Sequence, residues 1–135
     1  MCTFDGRLVL QKTIYLLQAF GIYLGYNFSW YLHGPYSTTL TRNGFALQEI
    51  YKNIEKGTFE NQKTQRKFDK FIQFMDDKKN DSDKIEILAS IHFLKNIYPN
   101  MPKYKILDIV KKKQSYFTEK QCNDGWNELK KVNLI

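Results

Sequence analysis

Cysteine and histidine are scarce in this chain, two of each among 135 residues, and that scarcity excludes several functional classes at once. Cys2 and Cys122 are too few and too far apart for a disulfide framework or a zinc site. His33 and His92 have no Cys, Asp or Glu at metal-ligand spacing, and each reads as a hydrogen-bonded structural histidine. Glycine-rich phosphate loops, nucleophile elbows and HExxH patterns are missing. The expected catalytic set, cofactor and metal are therefore all none. No long hydrophobic run is present either: residues 14–24 are strongly apolar, but Gln18 interrupts them and eleven residues are too few to span a bilayer as a helix. The amino terminus lacks the basic flank, apolar region and small-residue cleavage site of a signal peptide. A cytoplasmic protein with no membrane contact is expected.

What is abundant is apolar and aromatic surface. Hydrophobic residues make up 42% of the chain and aromatics 16%, enough for a packed core and too much for a disordered segment. The length suits one compact domain over residues 1–135, or two lobes sharing a core, with a helical lobe at 1–79 and a second at 84–135. Charge is uneven along the chain. Residues 1–60 carry five basic and four acidic side chains, whereas residues 61–135 carry sixteen and ten. A basic second half suits an acidic partner such as nucleic acid. A lysine-, asparagine- and isoleucine-rich composition also follows from A·T-rich coding, so charge alone does not choose the partner.

Periodicity predicts mainly helix. Residues 7–24 read as a central helix with Leu10, Ile14, Leu17 and Leu24 on one face. Residues 26–32 are short, aromatic and alternating, so they are candidates for an extended segment. His33-Gly34-Pro35-Tyr36-Ser37 is a turn leading into a helix. Leu40 to Ile54 support one broken helix or two, interrupted at Asn43-Gly44 and ended at Lys56-Gly57. Residues 62–78 form an amphipathic helix with Phe68, Phe71 and Met75 on one face and Ile72 beside it, and residues 76–83 form a solvated linker.

Three helices are expected in the last third, over residues 85–96, 103–112 and from Thr118 onward. The first looks sandwiched between two neighbours. Thr118 with Gln121 is a capping-box signature, and Cys122, Trp126 and Leu129 recur at helical spacing. The fold expected is all-α or mainly α, with a C-terminal winged-helix-like helix-turn-helix unit that lacks a full wing. Residues 133–135 stand where a first wing strand would begin.

Such a unit presents a helix to duplex DNA. Lys103, Lys105, Lys111, Lys112 and Lys113 are the candidate phosphate contacts on its second helix, and Lys120, Asn123, Asn127 and Lys131 the candidates on its third, where asparagine suits adenine edges. Asp124 and Glu128 would oppose a phosphate backbone unless they pair with lysines. A second hypothesis comes from the aromatic stretch around the turn. Trp30, His33 and Tyr36 are candidate contacts to a protein partner, with Trp30 and Tyr36 expected nearest the surface. Homodimerisation is compatible with either hypothesis. Glu86 and Ser90, four apart, are placed to hydrogen-bond along their helix and to join His92 in a polar cluster.

Two strings carry a resemblance. Leu10, Lys12, Tyr15 and Leu16 stand in an "LxKLxYL"-like helix, and Tyr31, Gly34, Pro35 and Ser37 in a "WxYGPxS"-like turn. Together with residues 87–94, they make the chain similar to the small prokaryotic YwgA-like proteins and, more distantly, to the SocA-like or Panacea antitoxin domain. The resemblance implies a compact, mainly helical protein. In the Panacea branch it implies an antitoxin that neutralises a partner or serves as a proteolysis adaptor. The leading expectation is a regulatory protein that binds double-stranded DNA through its basic C-terminal half; the alternative is an antitoxin-like or adaptor protein.

Overall fold

The computed structural model describes residues 4–22, 24–42 and 62–135. Six helices and one hairpin occur among them: α1 (Phe4–Ala19), β1 (Ser29–Tyr31), β2 (Gly34–Tyr36), α2 (Thr38–Arg42), α3 (Gln62–Met75), α4 (Ser82–Ile97), α5 (Lys103–Lys113) and α6 (Glu119–Lys131). The mainly helical expectation holds. The expected break at Asn43-Gly44 and the helix end at Lys56-Gly57 lie outside the described residues.

α1 ends at Ala19, five residues before the predicted end, because Gly21 takes φ +102° and closes the last turn. Gln18, the polar interruption of the apolar run, has a structural task. Its Oε1 accepts from the Leu24 and Tyr26 N–H groups at 3.1 Å, and its Nε2 donates to the Tyr26 carbonyl at 3.0 Å. That side chain fastens the following loop to the helix. β1 and β2 then pair antiparallel, Ser29 opposite Tyr36 and Tyr31 opposite Gly34, across the two-residue turn Leu32-His33. Gln11 on α1 exchanges two hydrogen bonds with the Ser37 main chain, at 2.8 and 2.9 Å, and so fixes the hairpin's exit into α2.

α3 buries Phe68, Phe71, Phe74 and Met75, while Ile72 is half exposed. Phe20, just past α1, sets its ring against Phe71 and Phe74 at centroid distances of 5.6 and 5.2 Å. The predicted solvated linker is not solvated throughout. Lys78 is buried, donating to the Phe74 carbonyl at 2.7 Å with its ammonium 4.2 Å from the Phe74 ring.

α4 is the central element, apolar on nearly every side, and the sandwiched geometry expected for it is what the structure has. Ile87, Leu88 and Ile91 meet α6 at Gly125, where an added Cβ would lie 3.0 Å from Ile87. Glu86, Ser90 and Phe93 instead face α1 and the hairpin. α6 opens on the predicted capping box, with the Gln121 N–H donating to Thr118 Oγ1 at 3.1 Å and the Thr118 N–H to Gln121 Oε1 at 2.9 Å. Cys122, Gly125, Trp126 and Leu129 form its buried face. Burying each large apolar side chain of that face contributes about 1.5–3 kcal/mol.

Residues 133–135 form no wing strand. Asn133 takes φ +61°, its N–H donates to Lys130 O at 3.1 Å and the Leu134 N–H to Leu129 O at 3.0 Å, which is a Schellman cap. Leu134 and Ile135 turn back onto the core.

Candidate nucleic-acid interface

α6 divides cleanly around its axis. Opposite its buried face run Lys120, Asn123, Asp124, Asn127 and Lys131, all exposed, at the three- and four-residue steps that keep side chains on one side of a helix. Acidic residues flank this stripe at both ends, and each is matched from another helix. Lys111 of α5 lies 3.2 Å from Glu119, and Lys84 of α4 lies 2.7 Å from Glu128. Asp124 is then the one acid of α6 without an ion-pair partner among the described residues, against three such lysines, Lys120, Lys130 and Lys131. The outward face keeps a net positive charge. An open groove of about 570 Å³ runs beside it between α5 and α6, lined by Tyr104, Leu107, Lys111, Glu119, Cys122 and Asn123. Burial pushes the Cys122 thiol pKa up, so it sits there as a neutral thiol.

The lysines of α5 serve more varied ends than a shared phosphate patch. Lys103 and Lys105 are exposed near its start, and Lys103 lies 5.8 Å from the Trp126 ring. Lys111 is taken by Glu119, and Lys112 pairs with Asp108 at 2.9 Å. Lys113 points at the hairpin. Its ammonium donates to the Tyr31 and Leu32 carbonyls at 2.5 and 2.6 Å and lies 4.3 Å from the Trp30 ring. The three consecutive lysines thus point to three different partners. Surface pairs such as Lys112–Asp108 are weak, about 0.2–1 kcal/mol, and do not prevent a lysine from turning to phosphate. Lys113 has more to give up.

The residues proposed for a protein partner are arranged differently from expectation. Trp30 is only half exposed and stacks on Phe93 with centroids 5.7 Å apart, and His33 faces the interior. The hairpin's outward side chains are Tyr31, 48% exposed, and Leu32, 76% exposed. Tyr36 is half-buried, with its ring edge-on to Tyr31 and its hydroxyl 2.7 Å from Thr41 Oγ1. An aromatic run in sequence alternates sides in a strand, so alternate rings are lost to the core.

Beneath the hairpin lies a buried polar cluster that spacing alone assembled incorrectly. His92 is not part of it: its Nδ1 is 2.7 Å from the Tyr15 hydroxyl. Burial lowers the His92 pKa and raises that of Tyr15, so a neutral phenol and a neutral imidazole share this hydrogen bond. Glu86 gathers His33 instead, with Oε1 3.4 Å from His33 Nδ1, and Gln114 Nε2 is 3.1 Å from the same nitrogen. Lys12, 2% exposed, reaches up from α1 and donates to the Pro35 carbonyl at 2.6 Å. Desolvation pushes the Lys12 pKa down to about 8, against the pull of Glu86. Glu86 is pushed up by its own burial, and His33 and Lys12 oppose the rise. Ser90 does not hydrogen-bond along the helix to Glu86. Its Oγ has no hydrogen-bond partner among the described residues and sits over Gly34, where an added Cβ would be 2.5 Å away. Five of the motif residues therefore have a use inside the molecule: Lys12 and Tyr15 on one side, and Gly34, Pro35 and Ser37 on the other, tie α1, the hairpin and α4 together, with Gln11 assisting.

The pattern of the sequence pointed to a polar cluster for Glu86 but with the wrong companions, Ser90 and His92, and assigned Lys12 no partner. The signal for Lys12 and Glu86 was available, since each is a lone charge among apolar positions of a buried helix, and such a charge needs a partner. Among the described residues no group of three or more His, Cys, Asp or Glu side chains could hold a metal ion, and no helix is long and apolar enough to cross a membrane. Compared with protein-family models, with curated proteins and with solved structures, the chain matches none.

Proposed function

We propose that the protein binds double-stranded DNA as a regulatory protein and presents the outward stripe of α6 to the duplex. The observation that carries the reading is the discharge of Glu119 and Glu128 by Lys111 and Lys84, at 3.2 and 2.7 Å, which leaves Lys120, Asn123, Asn127 and Lys131 on a positive face. This is the charge pattern a helix needs beside a phosphate backbone. The capped α6, packed on α4 through Gly125, is a rigid element for such a role. In this reading α4, α5 and α6 act as a helix-turn-helix. The phosphate contacts are Lys103, Lys105, Lys120, Lys130 and Lys131, with Lys112 free to turn outward.

Fluorescence anisotropy with a mixed duplex pool at two salt concentrations tests this. Binding is expected at low salt and should weaken steeply as salt rises. Lys120→Ala with Lys131→Ala should lower the slope of log K against log salt by about 2, since each phosphate contact contributes about 0.9. No binding at low salt removes the reading.

One observation favours a second reading, that of an adaptor or antitoxin-like protein. Leu32 and Tyr31 stand exposed on a hairpin held firmly by Lys12 and Lys113, a rigid apolar tip suited to a protein partner. Replacing Leu32 by Ser should abolish capture of such a partner and leave DNA binding intact.

A further inference from the structure

We infer that α6 reads A·T base pairs through the major groove, using Asn123 and Asn127, an inference that rests on the duplex-binding reading above. The two asparagines lie one turn apart on the outward stripe, so their amides are neighbours on the surface that would enter the groove. A side-chain amide matches the major-groove edge of adenine: its N–H donates to N7 while its carbonyl oxygen accepts from the N6 amine. Asn123 is set for that pairing. One of its two Nδ2 hydrogens goes to the Glu119 carbonyl at 3.2 Å, which orients the group, and the other hydrogen and Oδ1 remain for a base.

Arginine, a common bidentate reader of guanine O6 and N7, does not occur from residue 67 to the end of the chain. Asp124 lies on the same stripe between the two asparagines and only accepts hydrogen bonds, so it is repelled by guanine O6 and N7 and suits an exocyclic amine, that of adenine or that of cytosine. Lysines at both ends of the stripe, Lys120 and Lys131, are placed for the flanking phosphates, which hold register without reading sequence.

The test uses labelled duplexes of equal length, one alternating A·T and one alternating G·C, titrated with the full chain by anisotropy at one fixed salt concentration. A third duplex carries 7-deazaadenine, which lacks the N7 acceptor and leaves Watson–Crick pairing intact. The A·T duplex is expected to bind at least about ten-fold tighter than the G·C one, and the 7-deaza substitution to remove most of that advantage. In Asn123→Ala/Asn127→Ala, affinity for A·T should fall to the G·C level and become insensitive to 7-deazaadenine, with an unchanged melting temperature. Equal affinity of the unaltered protein for A·T and G·C overturns the inference and leaves duplex binding standing. An A·T preference that survives 7-deazaadenine, or survives in the double variant, also overturns it, because the protein is then reading groove shape. Failure to bind any duplex at low salt overturns the inference together with the reading beneath it.

Discussion

Replacing Lys12 by methionine is the sharpest probe of the buried cluster that holds the hairpin. The ammonium is 2% exposed and donates to Pro35 O at 2.6 Å, with Glu86 as its nearby counter-charge. Methionine fills a similar volume, so the loss is electrostatic. At pH 7 the variant leaves Pro35 O without its donor and Glu86 without this counter-charge but also sheds the cost of burying the ammonium, so the net change should be small, about 1 kcal/mol or less. The pH dependence is more diagnostic. A fall in the Lys12 pKa from 10.5 to about 8 corresponds to about 3 kcal/mol of bias against the charged form in the fold. Between those two pH values the unfolded chain holds a proton on Lys12 that the folded chain has released. Stability from this group therefore rises with pH across the window. Urea denaturation of both proteins at pH 7, 8, 9 and 10.5 reads it. The other titrating groups largely cancel in the difference, so the gap between parent and variant should widen by about 3 kcal/mol from pH 7 to pH 10.5. A gap that stays constant or narrows would mean that Lys12 is solvated, and the account of the cluster fails.

Gly34→Ala should cost about 3 kcal/mol, because φ +92° strains any side chain and the new Cβ meets Ser90 Oγ at 2.5 Å. Adding Ser90→Ala in the same chain should restore part of the loss in urea midpoint, and no restoration would locate the strain in the backbone alone. Thr118→Ala removes the acceptor for the Gln121 N–H at 3.1 Å and should lower stability by about 1 kcal/mol in the same assay. A loss below a few tenths would mean that water caps α6 equally well.

The helices of the last third could be read from the sequence almost residue by residue, because their determinants are local. Thr118, Gln121, Cys122, Trp126 and Leu129 define a cap and a stripe within one helix. The hairpin was half legible: Gly34 and Pro35 announce a turn, but which rings face inward depends on register against α1 and α4. The polar cluster was the least legible part. Glu86 finds His33 and Lys12 only after chain segments more than fifty residues apart have met, and helical spacing offered Ser90 and His92 as nearer, wrong companions. The lysine run shows the same limit. Three identical neighbours have identical local signals, and tertiary context sends Lys113 to the hairpin, Lys112 to Asp108 and Lys111 to Glu119.

The position of α4 as common partner of α1, the hairpin, α5 and α6 has a consequence for biosynthesis. Tyr15 and His92, which bond across that contact, are 77 residues apart in sequence. At about 5–20 residues per second of translation, α1 waits about 4–15 s for α4 to follow it out of the ribosome. Through that interval Ile14, Leu16 and Leu17 have no α4 to cover them, and Lys12 has no carboxylate. The last three helices wait about half as long, since Ile87 and Gly125, which meet between α4 and α6, are only about 2–8 s of synthesis apart at the same rate. The apolar face of α1 therefore stays uncovered on the nascent chain longer than the faces that α4, α5 and α6 present to one another.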